Sequence, residues 1–502
     1  MTLQELLDKY QELVLKRNAF SYADYLIGWD SETEAPAGCF ENRSKMVGVL
    51  AGESFRLSTC QDTQELIDAL YQKFDELDDT MKLIIKKEKR SIDQMKKIPE
   101  NEYIEYSMLM ASAQQVWATA KHNNDFASFA PTLEKIVEFQ KKLMKYLETD
   151  ELKGYDVLLD QYEEGSTQKI YDEFFNTLKQ DLVPFVLKVA STPLPTNKTL
   201  DGKYFSVEKQ EELSKYLLDV MKFDWNRGVI KTSEHPFTSG FTSQEVRITT
   251  HYYTDNLLSS MYSVIHEGGH ALYELQVDPK YDFTVLSGGS TMAMHESQSR
   301  FYENMIGRSK AYFEAHYPKI KELFSEELKD ITLDDFYQLA NDAKCSLIRT
   351  EADELTYPLH IMVRYEIEKL LLTDQIQVKD LPVVWNKMMA DYLGVDVPND
   401  TLGVLQDVHW AGGSFGYFPT YAYGSAISAQ LYNAMSKEIN IEEALKSGTT
   451  EQINNWLKEH VHQYGGSLLP NEILLKATGE VFNPKYYVNY LKEKYTSIYN
   501  IK

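Results

Sequence analysis

Cysteine is scarce in this chain of 502 residues: there are three, Cys39, Cys60 and Cys345. Thiols so few and so scattered exclude a disulfide framework and suit a reducing cytoplasm. Basic residues are in deficit, 52 Lys and Arg against 76 Asp and Glu, for a net charge of −24. A surface that negative argues against nucleic acid as a partner. The one basic cluster, Lys86-Lys87-Glu88-Lys89-Arg90, reads as one solvated turn of a helix. No apolar run approaches the roughly 18 residues of a membrane span. The opening Met1-Thr2-Leu3-Gln4-Glu5 has neither the basic nor the apolar stretch of a signal peptide. Repeats and low-complexity tracts are absent, and strand signals are few.

What the chain has in quantity is helical periodicity. Thr2-x-x-Glu5 is a capping box, and Leu6, Leu7, Tyr10, Leu13 and Val14 follow at helical spacing. Similar patterns run through 64–77, 132–147 and 207–221. Pro358 interrupts a helix read between Leu347 and Leu372 and is expected to kink or break it. The best break in the chain, 191–203, is rich in Pro, Thr and Asn and reads as a surface loop, so residues 1–502 are taken as one unit. The alternation in Glu245-Val246-Arg247-Ile248-Thr249-Thr250-His251-Tyr252-Tyr253 is a strand, with Glu245, Arg247, Thr249 and His251 on one face. The expected fold is mainly α with a small sheet.

One motif carries chemistry. His266-Glu267-Gly268-Gly269-His270 is an HExxH sequence, preceded by Leu257, Leu258, Met261, Val264 and Ile265 at the spacing of a buried helical face. Thr254 or Asp255 is a plausible cap for that helix. Residues four apart share a helix face, so His266 and His270 can hold one metal ion with Glu267 beside it as a base. Gly268 and Gly269 each cost about 1 kcal/mol in a helix interior, which implies close approach by another backbone or by substrate. Two core histidines that happen to be four apart are the bland alternative.

A hydrolytic zinc keeps three protein ligands and one open position for water, whose acidity it raises. Glu296, 26 residues after His270, is the third-ligand candidate. His295 competes, but adjacent helical residues point about 100° apart, so only one of the two can face the metal. Metal-bound histidines usually donate their second N–H to a carboxylate. One turn after Glu296 stands Arg300; Glu303, Glu274 and Asp255 are the acids that could serve, and all three stay open.

Taken together, these motifs make the chain similar to the carboxypeptidase Taq family of HExxH metallocarboxypeptidases. The resemblance runs along the whole chain. It includes Trp29-Asp30-Ser31-Glu32-Thr33, His235-Pro236-Phe237, Arg247-Ile248-Thr249 and the stretch from His295 to Arg300. Further on it includes the stretch from Ile348 to Tyr357, Leu405-Gln406-Asp407-Val408-His409-Trp410 and Gly416-Tyr417-Phe418-Pro419-Thr420-Tyr421. The family pattern has Asp two residues before Arg247; this chain has Glu245, one methylene longer. The resemblance implies a helical zincin-type fold around a deep groove, a homodimer, and removal of single residues from the free C-termini of peptides with broad specificity.

That activity needs a cation to hold the substrate's terminal carboxylate, and arginine's planar fork suits it. Arg349 is the first candidate and Arg247 the second; the plain alternative for Arg349 is an i,i+4 pair with Asp353 on a helix face. An oxyanion donor is also needed, and Tyr421, His235, His409 and Tyr417 are candidates for that role or for substrate contact. Zinc is the expected ion, with cobalt or manganese as alternatives. Two rival functions fit less of the pattern. One is an endo-acting oligopeptidase; the other is a non-catalytic peptide-binding protein with structural zinc, which would have no use for Glu267.

Overall fold

The computed structural model describes residues 1–501. The architecture is mainly helical, with one three-stranded sheet. The first helix, Leu3–Thr33, opens on the expected capping box, in which the Glu5 amide donates to the Thr2 hydroxyl and the Thr2 amide donates to the Glu5 carboxylate at 2.8 Å. The other expected helices occur as Gln61–Gln72, Phe126–Leu147 and Val207–Val220. The stretch 191–203 is free of helix and strand. Buried apolar side chains from Leu6 to Tyr499 form one continuous cluster. No helix among the described residues is long and apolar enough to cross a membrane.

The sheet consists of β1 (Gly228–Thr232), β2 (Thr238–Thr242) and β3 (Glu245–Thr250), in the order β1-β3-β2. Strand β3 pairs parallel with β1 and antiparallel with β2, so that Ile248 stands between Ile230 and Thr238. Val246 and Ile248 are fully buried, and β3 packs on the HExxH helix, Leu257–Gln276. The strand is shorter than its alternation suggests. His251 lies beyond it, with Nδ1 2.8 Å from the Ser233 carbonyl oxygen. Thr249 is also not on an open face. The turn from Ser233 to Phe237 folds over it, and its hydroxyl receives the Ser233 hydroxyl at 2.7 Å and the Phe237 amide at 2.9 Å.

The HExxH helix is capped by Asn256 rather than Thr254 or Asp255, because the Asn256 side chain reaches the Ser259 amide at 3.2 Å. Its two glycines answer to two neighbours. A Cβ on Gly268 would meet the flexible end of Met221 at 2.8 Å; one on Gly269 would meet the backbone of Gln298 and Ser299 at 2.8 Å. That second backbone belongs to the short helix Met292–Arg300, which carries Glu296. On its other side runs the helix Pro419–Glu438, where a Cβ on Gly424 would stand 2.7 Å from the Ala293 carbonyl oxygen. The Glu296 helix is thus wedged between two side-chain-free surfaces. Its N-terminus is tied by buried Glu163, which accepts from the Thr291 hydroxyl at 2.7 Å and the Ala293 amide at 3.0 Å. After Arg300 the chain widens into a π-helical turn, Phe301–Ile306.

Two expectations are corrected. Pro358 interrupts no helix: it lies in the first turn of Tyr357–Leu372, where a missing N–H costs nothing, and residues 343–348 before it form neither helix nor strand. The basic cluster is not a solvated turn. Glu88 is buried and takes both Arg17 and the Tyr10 hydroxyl, while Lys87 and Arg90 pair with Glu164 and Asp160.

Gly269→Ala is expected to destabilise the fold by about 2 kcal/mol or more, since neither backbone can retreat. Gly268→Ala, facing one methionine end, should cost less. Urea midpoints of the two variants check this ordering, and equal midpoints would refute it.

Candidate metal centre

One ligand atom each from His266, His270 and Glu296 comes together within 4.8 Å, with no other such cluster among the described residues. Glu296 Oε2 stands 3.7 Å from His266 Nε2 and 3.5 Å from His270 Nε2. Ligand atoms about 2.0–2.1 Å from a tetrahedral ion stand roughly 3.3 Å apart, so the arrangement is close to that of a ligated ion. Two imidazole nitrogens and a carboxylate oxygen are also the donor types a divalent ion takes.

The outward nitrogens of both histidines are held. His266 Nδ1 lies 2.9 Å from Glu303 Oε2. Glu303 was one of three acids left open by the sequence, and seven residues bring it back to the face of Glu296. His270 Nδ1 is met at 2.6 Å by His295, whose Nε2 lies 2.6 Å from Glu274. His295 therefore links His270 to a carboxylate, and of the two neighbours it is Glu296 whose oxygen comes to both imidazoles. Asp255 takes no part. Arg300 bridges Glu296, at 2.7 Å, and Glu303, at 3.0 Å, and Arg308 reaches the second oxygen of Glu303 at 3.1 Å. Burial, the largest single influence, would raise both carboxyls, but Arg300 and the histidines together, joined at Glu303 by Arg308, outweigh it and hold both well below the usual carboxylate range. Burial pulls His270 down to about 3, so its ring is neutral and its nitrogen free to bind an ion.

Glu267 is buried beside this cluster. The Thr238 hydroxyl donates to its Oε2 at 2.6 Å. Burial raises its carboxyl above the ordinary value, against the pull of His266 and Thr238. Thr238 went unnoticed in the sequence because β2, with Thr, Ser and Gly, has no alternating pattern; its position next to His235-Pro236-Phe237 was the available signal. His235 itself is exposed on the turn before β2.

A second group of polar side chains surrounds Arg349. Its guanidinium donates to Asp407 Oδ1 from Nε at 3.0 Å and from Nη2 at 2.8 Å, leaving Nη1 only a long contact of 3.5 Å to the Tyr357 hydroxyl. Arg349 lies in a short 3-10 turn, so the helical pairing with Asp353 does not form; Asp353 caps Leu355 and Thr356 instead. Arg349 stands over the Tyr421 ring at 5.3 Å, and Tyr421 Oη is 3.3 Å from His409 Nε2. The His409 and Tyr417 rings are 5.6 Å apart. Tyr357 joins the two groups, since Arg300 lies 4.6 Å over its ring. Burial lowers His409 to about 4, with Arg349 adding to it.

Arg247 belongs elsewhere. It donates to Glu245 at 2.6 Å and lies over Tyr25 and Trp29 of the first helix. The longer Glu245 side chain also accepts from the Tyr22 hydroxyl at 3.1 Å. A cavity of about 620 Å³ opens beside the centre, lined by Gly240, Glu274, Gly288, Met292 and His295 among others.

The family model of the carboxypeptidase Taq (M32) metallopeptidases matches residues 9–495. The chain belongs to this family. It is 41% identical over 492 residues to carboxypeptidase 1 of Bacillus subtilis, with 98% of each chain covered. It is 36% identical over 497 residues to thermostable carboxypeptidase 1 of Pyrococcus furiosus, again with 98% of each covered. The crystal structure of the M32 carboxypeptidase from Deinococcus radiodurans R1 superposes with a TM-score of 0.95 at 31% identity, covering 99% of this chain and 100% of that one. The protein is a metal-dependent carboxypeptidase, a hydrolase of peptides with a site for a divalent ion.

Glu303→Ala should leave His266 unheld and weaken metal binding by about 10- to 100-fold. Titration of the metal-free variant with zinc against a chelator measures this, and an unchanged affinity would remove Glu303 from the centre.

Proposed function

We propose that the ion is zinc, held by His266, His270 and Glu296, and that Glu267 is the general base. The observation that carries this is the placement of Glu267: buried against the ligand cluster, with one oxygen fixed by Thr238 and the other not hydrogen-bonded. Two imidazoles and one carboxylate form the ligand set of a hydrolytic zinc with a free fourth position, and bound there zinc would polarise the scissile carbonyl and make water acidic. Glu267 takes the proton of the attacking water and hands it to the leaving amine. Cobalt or manganese suit the same donors.

Arg349 binds the substrate's terminal carboxylate. Asp407 fixes two of its nitrogens, and the edge toward Tyr357 keeps N–H donors for a ligand. Tyr421, His409 and Tyr417 stand with Arg349, so we assign them to the same terminal residue. His235, exposed beside β2, is the side chain assigned to the oxyanion. Arg247, held by Glu245 and stacked on the first helix apart from Arg349, we assign to a contact with a part of the substrate away from its terminus. The rings of Tyr357, Phe418 and Tyr421 stand about Arg349, and we read such an aromatic surround as taking many terminal residues.

We extend the reading to a cytoplasmic homodimer. Three free cysteines suit a reducing compartment. The helix Phe40–Thr59 buries none of its side chains and exposes Phe40, Met46, Val49 and Phe55, apolar surface that a second copy would cover. A purely monomeric sedimentation profile at micromolar concentration would remove this part.

Mass spectrometry of one mixed-sequence peptide as free acid and as amide tests the anchor. The zinc-loaded protein should produce a ladder losing single residues from the free acid alone. Arg349→Ala should abolish that ladder; internal fragments from both peptides would instead indicate endo-acting cleavage. Glu267→Gln should retain zinc and lose turnover by about 10³-fold or more. Loss of zinc from that variant would count against the base assignment.

A further inference from the structure

The loop that carries His409 and Tyr417 is tied to a carboxylate with no part in the reaction described above. Glu368 lies on the helix Tyr357–Leu372 and is fully buried. Its Oε1 accepts the Trp410 indole N–H at 2.8 Å; its Oε2 accepts the Gly416 amide at 2.7 Å and the Tyr155 hydroxyl at 2.5 Å. Neutral donors rather than a cation hold this charge, and burial pushes its carboxyl up to about 7. A buried carboxylate in such surroundings is costly unless each lone pair is used.

The positions it grips are informative. Trp410 directly follows His409, and Gly416 directly precedes Tyr417. Between the two grips, the Ser414 amide donates to the His409 carbonyl oxygen at 2.9 Å, and Gln140 donates to that of Gly413 at 2.9 Å. At Gly416 φ is +90°, and a Cβ there would stand 2.7 Å from the Leu158 carbonyl oxygen, so the loop is pressed against a neighbouring backbone. One turn earlier on the Glu368 helix, Arg364 donates to Asp407 at 2.7 Å and to Gln406 at 2.8 Å. Asp407 in turn holds Arg349. A single rigid helix therefore sets both the arginine and the His409–Tyr417 pair.

We propose that Glu368 is a positioning residue: by bridging Trp410 and Gly416 it holds His409 and Tyr417 at the spacing that receives the terminal residue of the peptide. This rests on the assignment of those two side chains to substrate. Glu368→Gln is close to isosteric but offers one acceptor oxygen. Whichever way the amide turns, its NH2 faces either the indole N–H or the Gly416 amide, and one grip is lost.

The test is steady-state kinetics of the zinc-loaded full chain on a short free-acid peptide. Glu368→Gln should raise KM about 10-fold while kcat stays within about twofold. The effects of Glu368→Gln and Tyr417→Phe on KM should be strongly non-additive, the double variant being no worse than about the larger single one. Additive effects, or a loss confined to kcat and thermal stability, would overturn the positioning role. If His409→Ala and Tyr417→Phe leave KM unchanged, the substrate assignment itself fails and the proposal falls with it. If Glu368→Gln does not fold, Trp410→Phe, which removes one of the grips and keeps an aromatic ring, is measured in its place. It should raise KM about three- to tenfold and show the same coupling to Tyr417→Phe, with additivity again refuting the idea.

Discussion

The site depends on how closely three helices approach one another. Gly269 lets the backbone of Gln298 and Ser299 lie against the HExxH helix, and Gly424 lets Ala293 and Glu296 lie against the helix Pro419–Glu438. A side chain at Gly269 would drive the Glu296 helix away from the HExxH helix, and one at Gly424 would collide with Ala293 and with Glu296 itself, so either would displace the carboxylate from its place beside the two imidazoles. Burial of that carboxylate is tolerable because Arg300, one turn on, lies along the same face. Packing comes first here, and the electrostatics are arranged within the space it leaves.

Around the centre, charge is balanced in alternation. Glu296 and Glu303 are separated by Arg300, and Glu303 is shared with His266 and Arg308. A buried ion pair contributes little net stability, but an unpaired member is expensive, so such a network resists rearrangement. The same logic recurs at Asp407, which joins Arg349 and Arg364. Its effect is to remove freedom from the arginine whose donors face Tyr357.

Much of this was legible in the sequence, and the limits have physical causes. His266, His270 and Glu296 follow from helical spacing and from the length of chain between them; the glycine pair announced a close backbone neighbour. The partner of His266 stayed open because the choice among Glu303, Glu274 and Asp255 depends on how two helices are set against each other. Glu274 does serve, but through His295, which local spacing cannot show. Thr238, flagged only by its neighbours His235-Pro236-Phe237, and Glu368 are hard to read for a different reason. Each acts on residues far along the chain, and neither sits in a pattern that burial alone would produce. Pro358 was misplaced because a proline at the start of a helix and one that breaks it look alike when apolar residues continue on both sides. The helix that 347–356 mimics fails because Arg349 is drawn to Asp407 and Asp353 is used as a cap.

The wide turn Phe301–Ile306 has a consequence for how this part of the chain can vary in length. A π-helical turn accommodates one residue more than an α-helical turn of the same pitch. Deleting one residue there would restore regular α-helical hydrogen bonding and leave the chain beyond it in phase, because the wide turn absorbs the extra residue. What would change is the aim of the side chains inside the turn, above all Glu303, which now meets His266 with one oxygen and Arg308 with the other. The extra residue thus serves the placement of one carboxylate, whereas the loop 191–203 can gain or lose residues without reaching the centre.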